Sequence, residues 1–173
     1  MMSGLTLVLG GAASGKSAFA EGLVERLAAN RLYIATARAH DAEMEHKINV
    51  HQNRRGAGWR TIEAPDDPEA AFAEARSGEI VLFDCATMWL SNTMLAERAL
   101  DQATGNLLSA LAACSVPVVM VTNEVGGGIV PENALARAFR EEQGRLNITL
   151  AAQARTVVQV IAGLPSVLKG ELP

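Results

Sequence analysis

The stretch Gly10-Gly11-Ala12-Ala13-Ser14-Gly15-Lys16-Ser17 fits the pattern G-x-x-x-x-G-K-[ST] at every fixed position. It follows the run Leu5-Thr6-Leu7-Val8-Leu9, which reads as a buried strand, and it precedes Phe19, Leu23, Val24 and Leu27, spaced as on one helix face. A strand–turn–helix context limits what the rest of the chain can be. Small residues let backbone N–H groups converge on phosphate oxygens, and the helix N-terminus adds a favourable potential for the anion. In this pattern Lys16 reaches the outer phosphates and the Ser17 hydroxyl is a ligand for Mg²⁺.

The remaining chain repeats the theme of strand then helix. Apolar runs at 31–37, 79–83, 116–121 and 156–161 predict further strands. Helices are predicted over 96–113 and from Pro131-Glu132-Asn133 to about Arg155, and another opens at Pro65–Glu69 with a cap at Asp66 or Asp67. Asn30 is expected to end the first helix, Asp41–Val50 reads as a short helix, and Pro165 and the final Gly170-Glu171-Leu172-Pro173 read as a frayed tail. The alternation predicts an α/β fold, a P-loop NTPase of the RecA-like kind with a mainly parallel sheet sandwiched by helices. At 173 residues, with no repeat and no linker composition, one domain over 1–173 is expected.

Ligands of such sheets bind at the carboxyl ends of the strands. Asp84 ends the run Ile80-Val81-Leu82-Phe83, and Asn123 and Glu124 end another. Asp84 is the candidate second ligand for Mg²⁺ beside Ser17. Glu124 is either a general base or part of a turn network before Gly126-Gly127-Gly128. No N-K-x-D guanine-reading motif is present, which disfavours a switch GTPase.

Charge and cysteine content narrow the class. A formal net charge of −4 and 4% aromatic residues argue against a nucleic-acid binder. Two cysteines make neither a disulfide scaffold nor a metal cluster. No apolar run is long enough to span a membrane and no leader pattern stands at the N-terminus, so no membrane insertion is expected and the cytoplasm is the expected compartment.

Residues 38–61 are polar and hold all three histidines, His40, His46 and His51. Together with Tyr33-Ile34-Ala35-Thr36, Trp59-Arg60-Thr61, Asn123-Glu124-Val125-Gly126, Val130-Pro131-Glu132-Asn133 and Gly144-Arg145-Leu146-Asn147, they carry a resemblance over nearly the full length. The chain resembles the bifunctional adenosylcobinamide kinase and adenosylcobinamide-phosphate guanylyltransferase family of cobalamin biosynthesis. The resemblance implies two reactions. ATP or GTP phosphorylates adenosylcobinamide, and GTP then gives GMP to the phosphorylated corrinoid, through a guanylylated histidine, with release of pyrophosphate.

His51 is the nucleophile that the resemblance points to, with Lys16 and Glu124 as the other catalytic candidates. Some family members carry two adjacent histidines here, whereas this chain has Val50-His51. The resemblance places nucleotide contacts at Gly10–Ser17, at Ala35-Thr36-Ala37, along Gln52-Asn53-Arg54-Arg55, at Glu63 and at Asp84. Arg54 and Arg55 either neutralise triphosphate charge or form a solvated basic turn. Glu63 either accepts from guanine N1 and N2 or is a surface carboxylate. The resemblance also implies a homo-oligomer, a trimer. Three other readings stay open: a kinase of another small hydroxylated metabolite, a non-catalytic GTP-binding regulatory protein, and a family member that keeps only the kinase step.

Overall fold

The computed structural model describes residues 4–38 and 56–173. Strand β1 (Leu5–Gly10) runs into the glycine-rich turn and then helix α1 (Lys16–Leu27). The chain continues through β2 (Asn30–Ala35), β3 (Trp59–Glu63), α2 (Pro68–Ala73), β4 (Glu79–Asp84), α3 (Ala86–Leu95) and α4 (Leu100–Ala113). It ends with β5 (Val118–Asn123), α5 (Ala134–Gln153), β6 (Thr156–Ile161) and β7 (Leu164–Lys169).

The strands form one sheet in the order β3-β2-β4-β5-β1-β6-β7. The first six are parallel to their neighbours, and β7 returns antiparallel to β6. Strands such as Glu79–Asp84 and Val118–Asn123 are apolar on consecutive residues because helices cover both of their faces. On one face α1 buries Ala20, Leu23 and Val24 against Val8, Leu82 and Val121. On the other, among the described residues, α2 to α5 bury a larger cluster around Trp89, Leu107 and Leu150. There Phe72 of α2 stacks on Phe83 of β4, with ring centroids 5.5 Å apart.

The expected mainly parallel α/β sandwich is therefore the observed fold. Several local expectations change. The first helix stops at Leu27, and Asn30 instead opens β2. The polar stretch that ends at Trp59-Arg60-Thr61 contributes strand β3 at the sheet edge. The helix expected over 96–113 starts at Leu100, and a separate helix precedes it, with Glu97 at φ 52° between them. Asp67 stands at the N-cap of α2 without a capping bond, because its carboxylate pairs with Arg98 at 2.7 Å. Asn133 does cap α5, accepting from the Ala136 N–H at 2.7 Å. Pro165, expected in a tail, lies in strand β7, whereas residues 170–173 follow it without regular structure. Lys169 at the end of β7 donates to the carbonyls of Ala151 and Ala152 at the end of α5. The helix expected over 41–50 lies outside the described residues.

Candidate active site

The phosphate loop is built by close approach. A Cβ on Gly10 would stand 2.5 Å from Ser14 Oγ and 2.6 Å from the carbonyl oxygen of Val160 in β6, so only glycine fits there. Gly15 caps α1 at φ 90° with no side-chain cap, which leaves the first N–H groups of the helix to face the turn. Lys16 is the first residue of α1, and its Nζ donates to the Gly11 carbonyl at 3.1 Å, so the ammonium is folded over the loop.

Sheet register brings the other candidates to this end of the molecule. Glu63, Ala35 and Asp84 lie side by side at the ends of β3, β2 and β4. Gly10 lies beside Asn123 at the ends of β1 and β5, and the Glu124 N–H donates to the Gly10 carbonyl at 3.0 Å. Because side chains alternate along a strand, Asp84 and Asn123 share the α1 face with the phosphate loop. Tyr33, two residues before Ala35 on that face, donates its hydroxyl to Asp84 Oδ2 at 2.9 Å. Asn123 Oδ1 is buried and has no hydrogen-bond partner among the described residues. The Glu124 carboxylate is turned onto its own loop, accepting from the Gly126 N–H at 2.5 Å.

Thr36 has a different place from the one its neighbours suggest. It is fully buried, and its hydroxyl donates to the Cys85 carbonyl while accepting from the Cys85 N–H, both at 2.7 Å. Asn92 of α3 donates to the carbonyls of Thr36 and Pro65, at 2.9 Å each. Thr36 thus anchors the turn that carries Asp84. Burial, with the Asp84 carboxylate beside it, pushes the Cys85 thiol up to about 12, against the opposing pull of the Met88 and Thr87 N–H groups and of Lys16. Cys85 is therefore a neutral thiol at pH 7.

A second buried network supports the end of β5. Thr122 donates to Asn147 Oδ1 at 2.7 Å, and Gln143 donates both to Thr122 Oγ1 at 3.0 Å and to Asn147 Oδ1 at 2.9 Å. Asn147 Nδ2 donates to the Asn123 carbonyl at 3.0 Å, and the Asn123 N–H donates to the Thr87 hydroxyl at 2.8 Å. Arg140, one helical turn before Gln143, hydrogen-bonds the Gly126 carbonyl. Sequence reading alone did not single out Tyr33, Gln143 or Arg140 for any role. The spacing of Arg140, Gln143 and Asn147 on one helix face was the available signal.

His51, Gln52, Asn53, Arg54 and Arg55 lie outside the described residues, as do His40 and His46. Among the described residues no group of three His, Cys, Asp or Glu side chains is disposed to hold a metal. The hard oxygen donors of Ser17 and Asp84, and the orphaned Asn123 Oδ1 on the same face, still suit Mg²⁺, which retains waters and takes further ligands from substrate phosphates.

Comparison with known proteins adds identity to this geometry. A family model described as cobinamide kinase / cobinamide phosphate guanyltransferase matches residues 6–168. The chain is 42% identical to the bifunctional adenosylcobalamin biosynthesis protein CobP of Pseudomonas aeruginosa, over 95% of this chain and 97% of that protein. It is 40% identical to the bifunctional adenosylcobalamin biosynthesis protein CobU of Salmonella typhimurium, over 92% and 97% respectively. Among solved structures, a prototypical ATPase from a bacterial type III secretion system aligns at TM-score 0.57 and 10% identity. That alignment covers 96% of this chain and 57% of the ATPase, a likeness of fold alone.

Proposed function

The chain belongs to the cobinamide kinase / cobinamide phosphate guanyltransferase family, and on that premise we propose how its residues carry the two reactions. The observation that carries the proposal is the meeting of Gly10–Ser17, Asp84 and Glu124 at one end of the sheet. In the kinase step the loop N–H groups and Lys16 hold the β- and γ-phosphates of ATP or GTP. The hydroxyl of adenosylcobinamide attacks the γ-phosphorus. The P–O bond to the β-phosphate breaks, and the hydroxyl proton passes to Glu124. Ser17 and Asp84 would hold Mg²⁺, which supplies charge neutralisation on the phosphates.

In the transferase step the His51 imidazole attacks the α-phosphorus of GTP, and pyrophosphate leaves as the P–N bond forms. An oxygen of adenosylcobinamide phosphate then attacks the same phosphorus. The P–N bond breaks, and adenosylcobinamide-GDP departs. Gln52, Asn53, Arg54 and Arg55 adjoin His51 in sequence and bind the triphosphate. Glu63, in register with Asp84 through Ala35, accepts from the guanine edge, and Ala35 and Ala37 border the nucleotide.

The enzyme works as one domain over 1–173 and as a homo-oligomer, a trimer on the family resemblance. The exposed apolar residues Ile129, Val130, Leu135 and Ile148 suit such contacts. A cytoplasmic location fits its use of nucleoside triphosphates.

Mass spectrometry of the corrinoid after incubation with adenosylcobinamide, GTP and Mg²⁺ tests the assignment. Both the phosphorylated and the GDP-linked products are expected. The phosphorylated product alone would remove His51 from its role, and unchanged corrinoid would overturn the proposal.

A further inference from the structure

The hairpin of β6 and β7 ends directly on the phosphate loop. Ile161 pairs with Leu164, so its turn is the two residues Ala162 and Gly163. Both have positive φ, 51° and 76°, as the primed two-residue turn requires. The Gly163 N–H donates to the Ser14 carbonyl at 2.8 Å. A Cβ on Gly15 would stand 3.0 Å from Gly163 Cα, and one on Gly10 would meet the Val160 carbonyl oxygen at 2.6 Å. Two glycines of the phosphate loop are thus matched to the surface of this hairpin. The loop itself holds Ala13 at φ 54° and Gly15 at φ 90°. A conformation of that kind persists only when its surroundings determine it.

We infer that Gly163 is a positioning residue for the nucleotide: its N–H and its close fit against Gly15 hold the phosphate loop in the shape that receives phosphate. The inference rests on Gly10–Ser17 being the nucleotide site. Strand β6 buries Val157, Val158 and Val160 in the core, but β7 and the turn add little to it. Every residue of β7 is exposed, and Ile161 and Leu164 beside the turn are 61% and 72% exposed. Its distinctive contacts are the Ser14 bond at the tip and the Lys169 and Thr156 bonds at the far end, where Thr156 Oγ1 donates to the Glu171 carbonyl at 2.7 Å. The tip therefore acts on the loop without carrying the stability of the sheet.

The test uses the full chain, with GDP as a probe that occupies the loop without reacting. Gly163→Val places a β-branched residue at a positive φ it cannot hold, so the tip turns and its N–H leaves Ser14. The expected result is a GDP Kd weaker by about tenfold, with the KM for adenosylcobinamide unchanged within about twofold. Gly163→Asn keeps both the N–H and the tolerance of positive φ, and is expected to bind GDP within about twofold of wild type.

Should the valine variant fail to fold, Gly163→Ala is the milder replacement, with GDP weakened about threefold. A folded Gly163→Val chain that binds GDP as wild type does, or that loses nucleotide and corrinoid affinity alike, overturns the inference. Wild-type protein that binds no GDP, or a Lys16→Ala variant that binds it undiminished, would instead overturn the nucleotide site on which the inference rests.

Discussion

The Tyr33 hydroxyl and the Asp84 carboxylate, 51 positions apart in sequence, meet at 2.9 Å across adjacent strands β2 and β4. The bond holds the Asp84 carboxylate at the end of β4, on the sheet face that carries the phosphate loop. If Asp84 holds Mg²⁺ as proposed, Tyr33→Phe should raise the Mg²⁺ concentration for half-maximal kinase activity several-fold. A hydrogen bond to a charged group is worth roughly 1.5–3 kcal/mol. Titration of initial rate against Mg²⁺ in both proteins checks this, and an unchanged midpoint would confine Tyr33 to a structural role.

Lys16 and His51 should separate the two reactions. Lys16→Ala is expected to lower both the kinase and the transferase rates by about 10²–10³-fold, because both reactions, as proposed, draw on the phosphate loop. His51→Ala should abolish only GMP transfer, leaving phosphorylated corrinoid to accumulate. Product ratios by chromatography, with each variant's thermal melt as a folding control, distinguish these outcomes.

The Thr122 hydroxyl is fully buried and serves two partners, Asn147 and Gln143. Thr122→Val keeps the shape and removes both bonds, and should lower unfolding free energy by about 2 kcal/mol in urea titration. Because the same network holds the Asn123 carbonyl through Asn147, kcat should also fall. A variant with full stability and full activity would show that the network is dispensable.

Glu79 links stability to pH. Burial raises its pKa, but the Arg60 hydrogen bond, the Arg76 N–H and the charges of both arginines outweigh it, so the net position is below the ordinary 4.5. The folded form then holds its proton less tightly than the unfolded form. The stabilisation is complete above about 4.5, near the unfolded value, and is lost as pH falls toward and through the lower folded value. Glu79→Gln should therefore cost stability at pH 7, about 1 kcal/mol given the partly exposed Arg60. It should also flatten the acid limb of the stability curve. Equal slopes in variant and wild type between pH 3 and 6 would contradict this.

Cys85 should resist alkylation by iodoacetamide at pH 8, since a thiol near 12 carries almost no thiolate there. Peptide mapping after a timed pulse, with and without denaturant, reads it directly. Rapid labelling of native Cys85 would show that its surroundings are more open than the packed turn beside Thr36.

The parts of the fold visible in the sequence were those written in local pattern. The phosphate loop, the apolar runs of β1, β4, β5 and β6, and the helix start at Pro131-Glu132-Asn133 each depend on neighbours a few residues away. What escaped depended on distant partners. Strand β3 reads Trp59-Arg60-Thr61-Ile62-Glu63, an edge strand with mixed exposure and no continuous apolar run. Strand β7 contains Pro165, which demotes a run to an edge or a tail, and its turn is Ala-Gly rather than the strong Asn-Gly signal. In the candidate site, the placement of Asp84 and Glu124 at this end of the sheet was legible because they end apolar runs. The Tyr33–Asp84 bond is not legible, because only sheet register brings β2 beside β4, nor is the anchoring by Thr36, because its partners lie in Cys85 and Asn92.

The bond from Gly163 to Ser14 also has a consequence for how the molecule is made. Ribosomes release the phosphate loop early, but the turn that seats it emerges only after α5 and β6. Until that moment Ser14 lacks its brace, and a nascent chain would hold an unfinished receptor for phosphate. Closing so long a loop is slow, so if Gly163 seats the loop as inferred, full nucleotide affinity waits on that closure. Nucleotides in the surrounding fluid would then select for chains whose final hairpin has settled.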